Sequence, residues 1–448
     1  MNTLIIRIIA IATITTGQLA HAFPDDAPNV IVLFSDQHRM ADFPGEEHTS
    51  VIAPNLDRLS NQGVRFQNAI SNYPVCSPFR AMLLTGLSPY FTGVIDNGEP
   101  VKDPGSTMAH AFKKAGYHTG YIGKWHLQMN QETHVAPFGF NESRIWANTN
   151  SHYKSRYLDT DQGKWVDYKD YNAFGMSEHA VDFIERNQKK PFLLYVSYNP
   201  PHSNFFDAPE EFQAHFKNRK LKQRPNVMEM TEQYELLSKR GWNDTTLAGY
   251  LAHIEALDHA IGTVLDTLDR LELSENTIVV YTSDHGEMML SHGRGGKRVP
   301  YEESIRIPFL LRWPKEIKAG QEVKSPFGTI DVVPTLLNLA GLEQLPNLNG
   351  YDFSATVTKG AKPPVKSQPI MHIQKSNASH GDKHPSEKFR GIRTERYTYA
   401  VKKSGPWILF DNKKDPYQLN NIIDAKKKVS AKLDAQMRNW LREYDDPF

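Results

Sequence analysis

Four short, uninterrupted apolar runs constrain this chain more than any other feature. They cover residues 29–34, 118–122, 191–198 and 277–281. Each is too short for a buried helix and lacks the alternation of a half-solvated strand, so each reads as a strand covered on both faces of a parallel sheet. Helical patterns lie between them, at 55–62, 107–114, 177–187 and about 246–271. Strands alternating with helices predict an α/β fold, a large, mostly parallel sheet flanked by helices.

The residues at the carboxyl end of each run matter as much as the run itself. The first run leads into Ser35-Asp36-Gln37-His38, the second into Gly123-Lys124-Trp125-His126, the third into Asn199-Pro200-Pro201-His202 and the fourth into Ser283-Asp284-His285-Gly286. Ligands of open α/β sheets bind outside the carboxyl ends of the strands, so these distant residues are expected on one rim. Asp36 and Asp284, with the amide oxygen of Gln37, are hard ligands suited to Ca²⁺ or Mg²⁺. His285 is an uncommon ligand for Ca²⁺, and an Asp after a strand serves equally well as a helix cap. Lys124, His126, His202 and Lys297 offer cations and proton donors of the kind a tetrahedral oxyanion and a departing alkoxide need.

The 448 residues carry 52 basic and 51 acidic side chains. That balance gives no reason to expect nucleic-acid or membrane-surface binding, so an anionic substrate must be recognised by a local pocket. Residues 1–22, with Arg7, an apolar stretch and Ala20-His21-Ala22, read as a cleaved signal peptide. Its apolar stretch is well short of the roughly 20 residues needed to span a bilayer. The mature chain is therefore expected to be secreted or periplasmic. Residues 23–350 are expected to form the catalytic domain. Residues 351–448 come next as a smaller α+β subdomain, with strand-like pieces at 369–374 and 397–402 and a terminal helix at about 424–443. An apparent insertion at 130–171 holds Trp146, Tyr153, Tyr157, Trp165, Tyr168 and Tyr171. Such rings either wall a saccharide cleft or pack the loop onto the body.

Cys76 is the only cysteine, so no internal disulfide can form. It stands in Val75-Cys76-Ser77-Pro78-Phe79-Arg80, with Pro78 suited to a first helical position and Gly86 to a helix stop. A helix N-terminus favours a thiolate, an oxyanion or a bound sulfate. Cys-x-Pro-x-Arg at such a place resembles the signature of the type I sulfatases of the alkaline phosphatase superfamily. Further blocks resemble that family in its own order: Ala53-Pro54-Asn55-Leu56-Asp57-Arg58, Gly123-Lys124-Trp125-His126, Pro200-Pro201-His202, Ser283-Asp284-His285-Gly286 and Gly391-Ile392-Arg393-Thr394. Phe79, Gln37 and His285 depart from the residues more usual there, a small residue, Asp and Asn respectively.

The resemblance implies an alkaline-phosphatase-like fold and a sulfuric ester hydrolase. Cys76 would be converted to Cα-formylglycine by a formylglycine-generating enzyme, and one hydroxyl of the hydrated aldehyde would attack sulfur. Asp36, Gln37, Asp284, His285 and residue 76 would hold one Ca²⁺, with Mg²⁺ as the alternative. Arg80 and Lys124 would hold the diol, His126 would be the base that releases sulfate, and His202 and Lys297 would grip the sulfate, with His202 protonating the leaving oxygen. Export and the aromatic loop favour a sulfated polysaccharide or oligosaccharide, attacked from chain ends, with algal galactans such as carrageenan the first guess. A phosphonate or phosphodiester hydrolase of the same superfamily and a non-catalytic binder of sulfated glycans are the alternative readings.

Overall fold

The computed structural model describes residues 26–101, 105–127, 135–147, 149, 151–217, 219–227, 244–374 and 387–448. The expected signal segment at 1–22 lies outside them. The first expected strand is β1 (Asn29–Ser35), and every residue in it is buried. Its side chains alternate between two cores. Val30, Val32 and Phe34 join one hydrophobic cluster, while Ile31 and Leu33 join another on the opposite face. A strand with an apolar layer on each face has no solvated side, which is why its sequence is apolar throughout.

β1 sits inside a ten-stranded sheet, apart from a two-stranded parallel pair of β3 (Ala69–Ile70) and β12 (Phe327–Gly328). From one edge the order is β11 (Gln321–Val323), β2 (Val64–Phe66), β10 (Phe309–Arg312), β9 (Thr277–Ser283) and β1, then β8 (Phe192–Ser197), β4 (His118–Gly123), β5 (Glu142–Trp146), β6 (Arg156–Asp159) and β7 (Lys164–Asp167). The five central strands from β9 to β5 are mutually parallel, and β10, β6 and β7 run antiparallel to their neighbours. The sheet is thus mixed, with a parallel centre. All four apolar runs fall in that centre, so their carboxyl ends share one edge of the molecule.

Helices cover both faces, in keeping with the α/β expectation. Residues of the Cys76–Thr85 and Val332–Leu339 helices lie in one cluster, and residues of the Pro54–Gln62, Asn172–Asn187 and Asp244–Arg270 helices in the other. The Pro54–Gln62 helix is capped from outside its own segment, because the Asp258 carboxylate accepts from the backbone amides of Asn55 (3.2 Å) and Leu56 (2.7 Å). The expected insertion turns out differently. Part of it forms β5, β6 and β7, and Trp146, Tyr168 and Tyr171 are buried, leaving Tyr153 exposed. Most of the rings pack the segment onto the body.

Beyond the body lies a four-stranded antiparallel sheet, ordered β13 (Ser367–His372), β14 (Phe389–Thr394), β15 (Tyr397–Lys402) and β16 (Gly405–Asp411), with the terminal helix Lys427–Glu443. It joins the body through a small apolar cluster that includes Ile70, Ile305, Ile370 and Phe410. A buried ion pair also crosses this junction. Arg393 donates to both oxygens of Glu302, at 2.8 and 2.9 Å, and Thr398 donates to the same carboxylate at 3.2 Å.

Removing one partner of such a pair leaves a buried charge, which costs about 3–5 kcal/mol. Arg393→Ala is therefore expected to lower the unfolding free energy measured in urea by an amount in that range, with a correspondingly lower midpoint. Pairing Arg393→Met with Glu302→Leu should recover most of the loss, because the uncompensated charge is then gone. An Arg393→Ala variant as stable as the parent chain would show that the pair does not fasten this junction.

Candidate active site

Cys76 is the first residue of the Cys76–Thr85 helix, two positions ahead of the Pro78 start expected from sequence. The helix has no side-chain N-cap and ends at Gly86, whose φ of +69° suits glycine. Asn97 Oδ1 accepts from the Ser77 amide at 3.0 Å, and the Ser77 hydroxyl donates to the His126 carbonyl. Cys76 is 1% exposed, and its Sγ is 3.1 Å from His285 Nε2 and 3.9 Å from Asp36 Oδ1.

Asp36 and Asp284 come directly after the paired strand ends Ser35 and Ser283, so the two carboxylates stand side by side and fully buried. Arg80, from the helix that carries Cys76, donates to Asp36 Oδ2 at 3.1 Å and to Asp284 Oδ2 at 3.3 Å. Its other terminal nitrogen donates to the Lys124 carbonyl (2.8 Å) and Ser197 Oγ (2.5 Å). Lys124 Nζ donates to Asp36 Oδ2 at 2.6 Å. Burial raises the Asp36 carboxyl, but Lys124, His202, Arg80 and His285 together hold it well below the usual range. Burial and the neighbouring Asp36 instead push Asp284 up to about 6.

His285 donates from Nδ1 to the Gly286 carbonyl at 2.9 Å, which aims Nε2 at Cys76, with Asp284 Oδ1 at 3.4 Å. Asp36, Cys76, Asp284 and His285 place one ligand atom each within 4.8 Å of one another. Two adjacent buried carboxylates and an imidazole nitrogen beside them make a donor set that a divalent cation would satisfy.

Gln37 lies at the same strand end, but its side chain is committed elsewhere. Its amide oxygen accepts from Lys297 Nζ at 2.7 Å and its amide nitrogen donates to Glu287 at 2.6 Å. The positive φ of Gln37, 78°, turns its backbone amide onto Asp284 Oδ1 at 2.9 Å. Glu287 closes the Ser283-Asp284-His285-Gly286-Glu287 block, but the sequence assigns it no role. It is buried and also accepts from the Gly296 amide, so it anchors the loop that presents Lys297.

Lys297 is buried and stays charged, because Cys76, Asp36, Asp284 and Glu287 outweigh its desolvation. Burial, then Lys124 and Arg80, hold His126 well below the usual imidazole value. Burial also lowers His202, with Lys124 and Lys297 acting against the pull of Asp36. His202 Nδ1 donates to the Ser203 carbonyl at 2.9 Å. These charges reach residue 76 as well. Burial and Asp36 raise the Cys76 thiol, but Lys297, His285 and Lys124 overcome them and bring it down to about 5. The site stabilises an anion at a position almost sealed from water.

A model of the sulfatase family matches residues 28–342. A second, for the C-terminal part of N-sulphoglucosamine sulphohydrolase, matches residues 291–446. An ulvan-active sulfatase of Formosa agariphila is 34% identical over 432 residues, covering 94% of this chain and 82% of that protein. An endo-4-O-sulfatase of Bacteroides thetaiotaomicron is 30% identical, covering 96% of this chain and 92% of that protein. Among solved structures, a sulfatase from Bacteroides fragilis superposes with a TM-score of 0.85 at 30% identity, over 96% of this chain and 98% of its own. With a family match over more than half its residues and a fold shared along nearly its whole length, the chain belongs to the sulfatases, sulfuric ester hydrolases with the alkaline-phosphatase-like fold.

Proposed function

We propose that this sulfatase hydrolyses sulfate esters of a sulfated polysaccharide or oligosaccharide, with residue 76 acting as formylglycine. The observation that carries the reading is the setting of residue 76, whose ligand atom lies within 4.8 Å of those of Asp36, Asp284 and His285, with Arg80 and Lys124 both donating to Asp36. A catalytically silent binder has no need of a buried nucleophile position beside a ready metal donor set. The relatives support a carbohydrate substrate, since they include an ulvan-active sulfatase and an endo-4-O-sulfatase. Carrageenan, the first guess from sequence, has behind it a carrageenan-bound neighbour that is 23% identical and so speaks for fold alone. Chain-end attack is the preferred mode because Lys124, His202 and Lys297 are all buried at the base of the site.

Formylglycine would supply a hydroxyl nucleophile once hydrated, and Asp36, Asp284 and His285 would hold a divalent cation, Ca²⁺ first and Mg²⁺ second, that would supply positive charge. Arg80 locks both carboxylates in place through one terminal nitrogen, and Lys124 fixes Asp36 from a second direction. His126, kept neutral by burial, is ready to take a proton, which suits the base that releases sulfate. Lys297 and His202 receive the anionic ester. His202 is also kept neutral, with its proton on Nδ1, until a bound anion offsets Lys124 and Lys297 and favours a proton on Nε2. That proton is the one the leaving sugar oxygen takes.

Maturation requires a formylglycine-generating enzyme, and the signal-like segment at 1–22 supports export to the periplasm or beyond. No helix among the described residues is long and apolar enough to cross a membrane.

The peptide containing residue 76, from protein made in its own host, is expected to show the mass of the aldehyde. A plain thiol there would instead favour the binder. Stripping divalent cations with a chelator should abolish turnover, with Ca²⁺ restoring it more fully than Mg²⁺; turnover that survives chelation would remove the metal from the reading. His202→Ala should lower kcat on sugar sulfates by about 10²-fold or more while sparing an activated aryl sulfate, whose leaving group needs no acid. Equal losses on both substrates would rule out the acid role.

A further inference from the structure

The loop after β8, which carries His202, is held by a buried clasp that the reaction scheme leaves unused. Asp207 accepts from both the backbone amide of His152 (3.1 Å) and its Nδ1 (2.6 Å). His253, on the Asp244–Arg270 helix, donates from Nε2 to the Asn204 carbonyl at 2.8 Å and accepts on Nδ1 from the Tyr171 hydroxyl at 2.6 Å. Both imidazoles are fully buried, with ring centroids 4.3 Å apart. Phe205 is buried against Tyr250, and a Cβ at Gly249 would collide with the Phe205 carbonyl, so the loop lies flush on the helix. The backbone at 204–207 is therefore fastened from two sides.

The residues next to this clasp behave in the opposite way. Tyr153 is 37% exposed and Phe206 is 56% exposed, two of six large apolar side chains that are exposed among the described residues. One comes directly after His152 and the other directly before Asp207, so the bonds between those two residues bring the two backbone positions together, and Phe206 follows His202 by four residues in the chain. Exposing two rings costs hydrophobic free energy, and here both stand on backbone fastened by the clasp, one of them on the loop that carries His202. Immobile aromatic faces suit the apolar faces of a sugar ring, because little ordering is needed on binding.

We propose that Tyr153 and Phe206 form a stacking platform for a sugar ring on the leaving-group side of the scissile sulfate ester, with the His152–Asp207–His253 clasp as its support. This inference rests on the proposed sulfatase reaction and on His202 facing the leaving oxygen. It assigns part of the exposed aromatic content to binding the sugar chain.

The test uses the full, matured enzyme with Tyr153→Ala, Phe206→Ala and the double variant. The probes are 4-nitrophenyl sulfate, which has no sugar, and tetrasaccharides prepared from ulvan and from heparin, of which the better wild-type substrate is used. The readout is the ratio of kcat/KM on the tetrasaccharide to kcat/KM on the aryl sulfate. Each single variant is expected to lower that ratio about tenfold, mainly through KM. Tyr153→Phe and Phe206→Tyr should hold it near the wild-type value, because stacking survives both changes. A ratio unmoved by the alanine variants, or a fall equally large in the conservative ones, would overturn the platform. A wild-type enzyme that turns over neither class of ester would instead sink the sulfatase reaction on which the platform depends.

Discussion

Two buried carboxylates side by side dictate how the rim of the sheet is built. Asp36 and Asp284 stand together because β1 and β9 are adjacent and parallel, in register through Ser35 and Ser283. Like charges in a dry site repel strongly, and the two groups divide the strain, one held low by cations and the other pushed up to about 6. Arg80 answers both at once, and it belongs to the helix that begins with Cys76. The balancing charge therefore also positions the reactive residue. A divalent cation held by Asp36 and Asp284 would complete the same logic, because it would lower their repulsion.

The backbone around this centre is tightly constrained. Gln37 and His126 hold positive φ values of 78° and 58° just beyond two of the central strands. Such conformations cost about 1–3 kcal/mol each and persist only where surroundings enforce them. At Gly123, with φ of +99°, a Cβ would run into the Ser197 carbonyl, so only glycine lets β4 turn to present Lys124. Glu287 plays the equivalent part for Lys297, collecting backbone amides that would otherwise be orphaned in a buried loop. The rigidity is of the kind needed for charges that must already be aligned before substrate arrives.

Much of this was legible in the sequence. The four apolar runs are the four central strands expected, and the Cys76 helix begins within two residues of the expected start. The rim residues Asp36, Lys124, Asp284 and His285 gather around Cys76, as strand ends in a parallel sheet should. Other features were not legible. Gln37 reads as a metal ligand by type, yet Lys297 and Glu287, each about 250 residues away in the chain, engage both ends of its amide. The aromatic insertion reads as a loop because its strands are short and lie at the sheet edge, where no apolar run marks them. His152, Asp207 and His253 look like ordinary surface polar residues until three separate segments meet.

The sequence by itself determined what acts over a few residues: which runs must be buried strands, where a helix starts, and which ionisable groups stand at each strand end. Those signals survive without tertiary context because hydrophobic periodicity and helix capping are local. Only the tertiary structure decided which charge answers which. Strand order sets β9 rather than some other strand against β1, and that choice makes the carboxylate pair, calls Arg80 between them and aims His285 at Cys76. Electrostatic pairing in a buried site depends on separations of a few ångströms between residues hundreds of positions apart, and no local pattern encodes them.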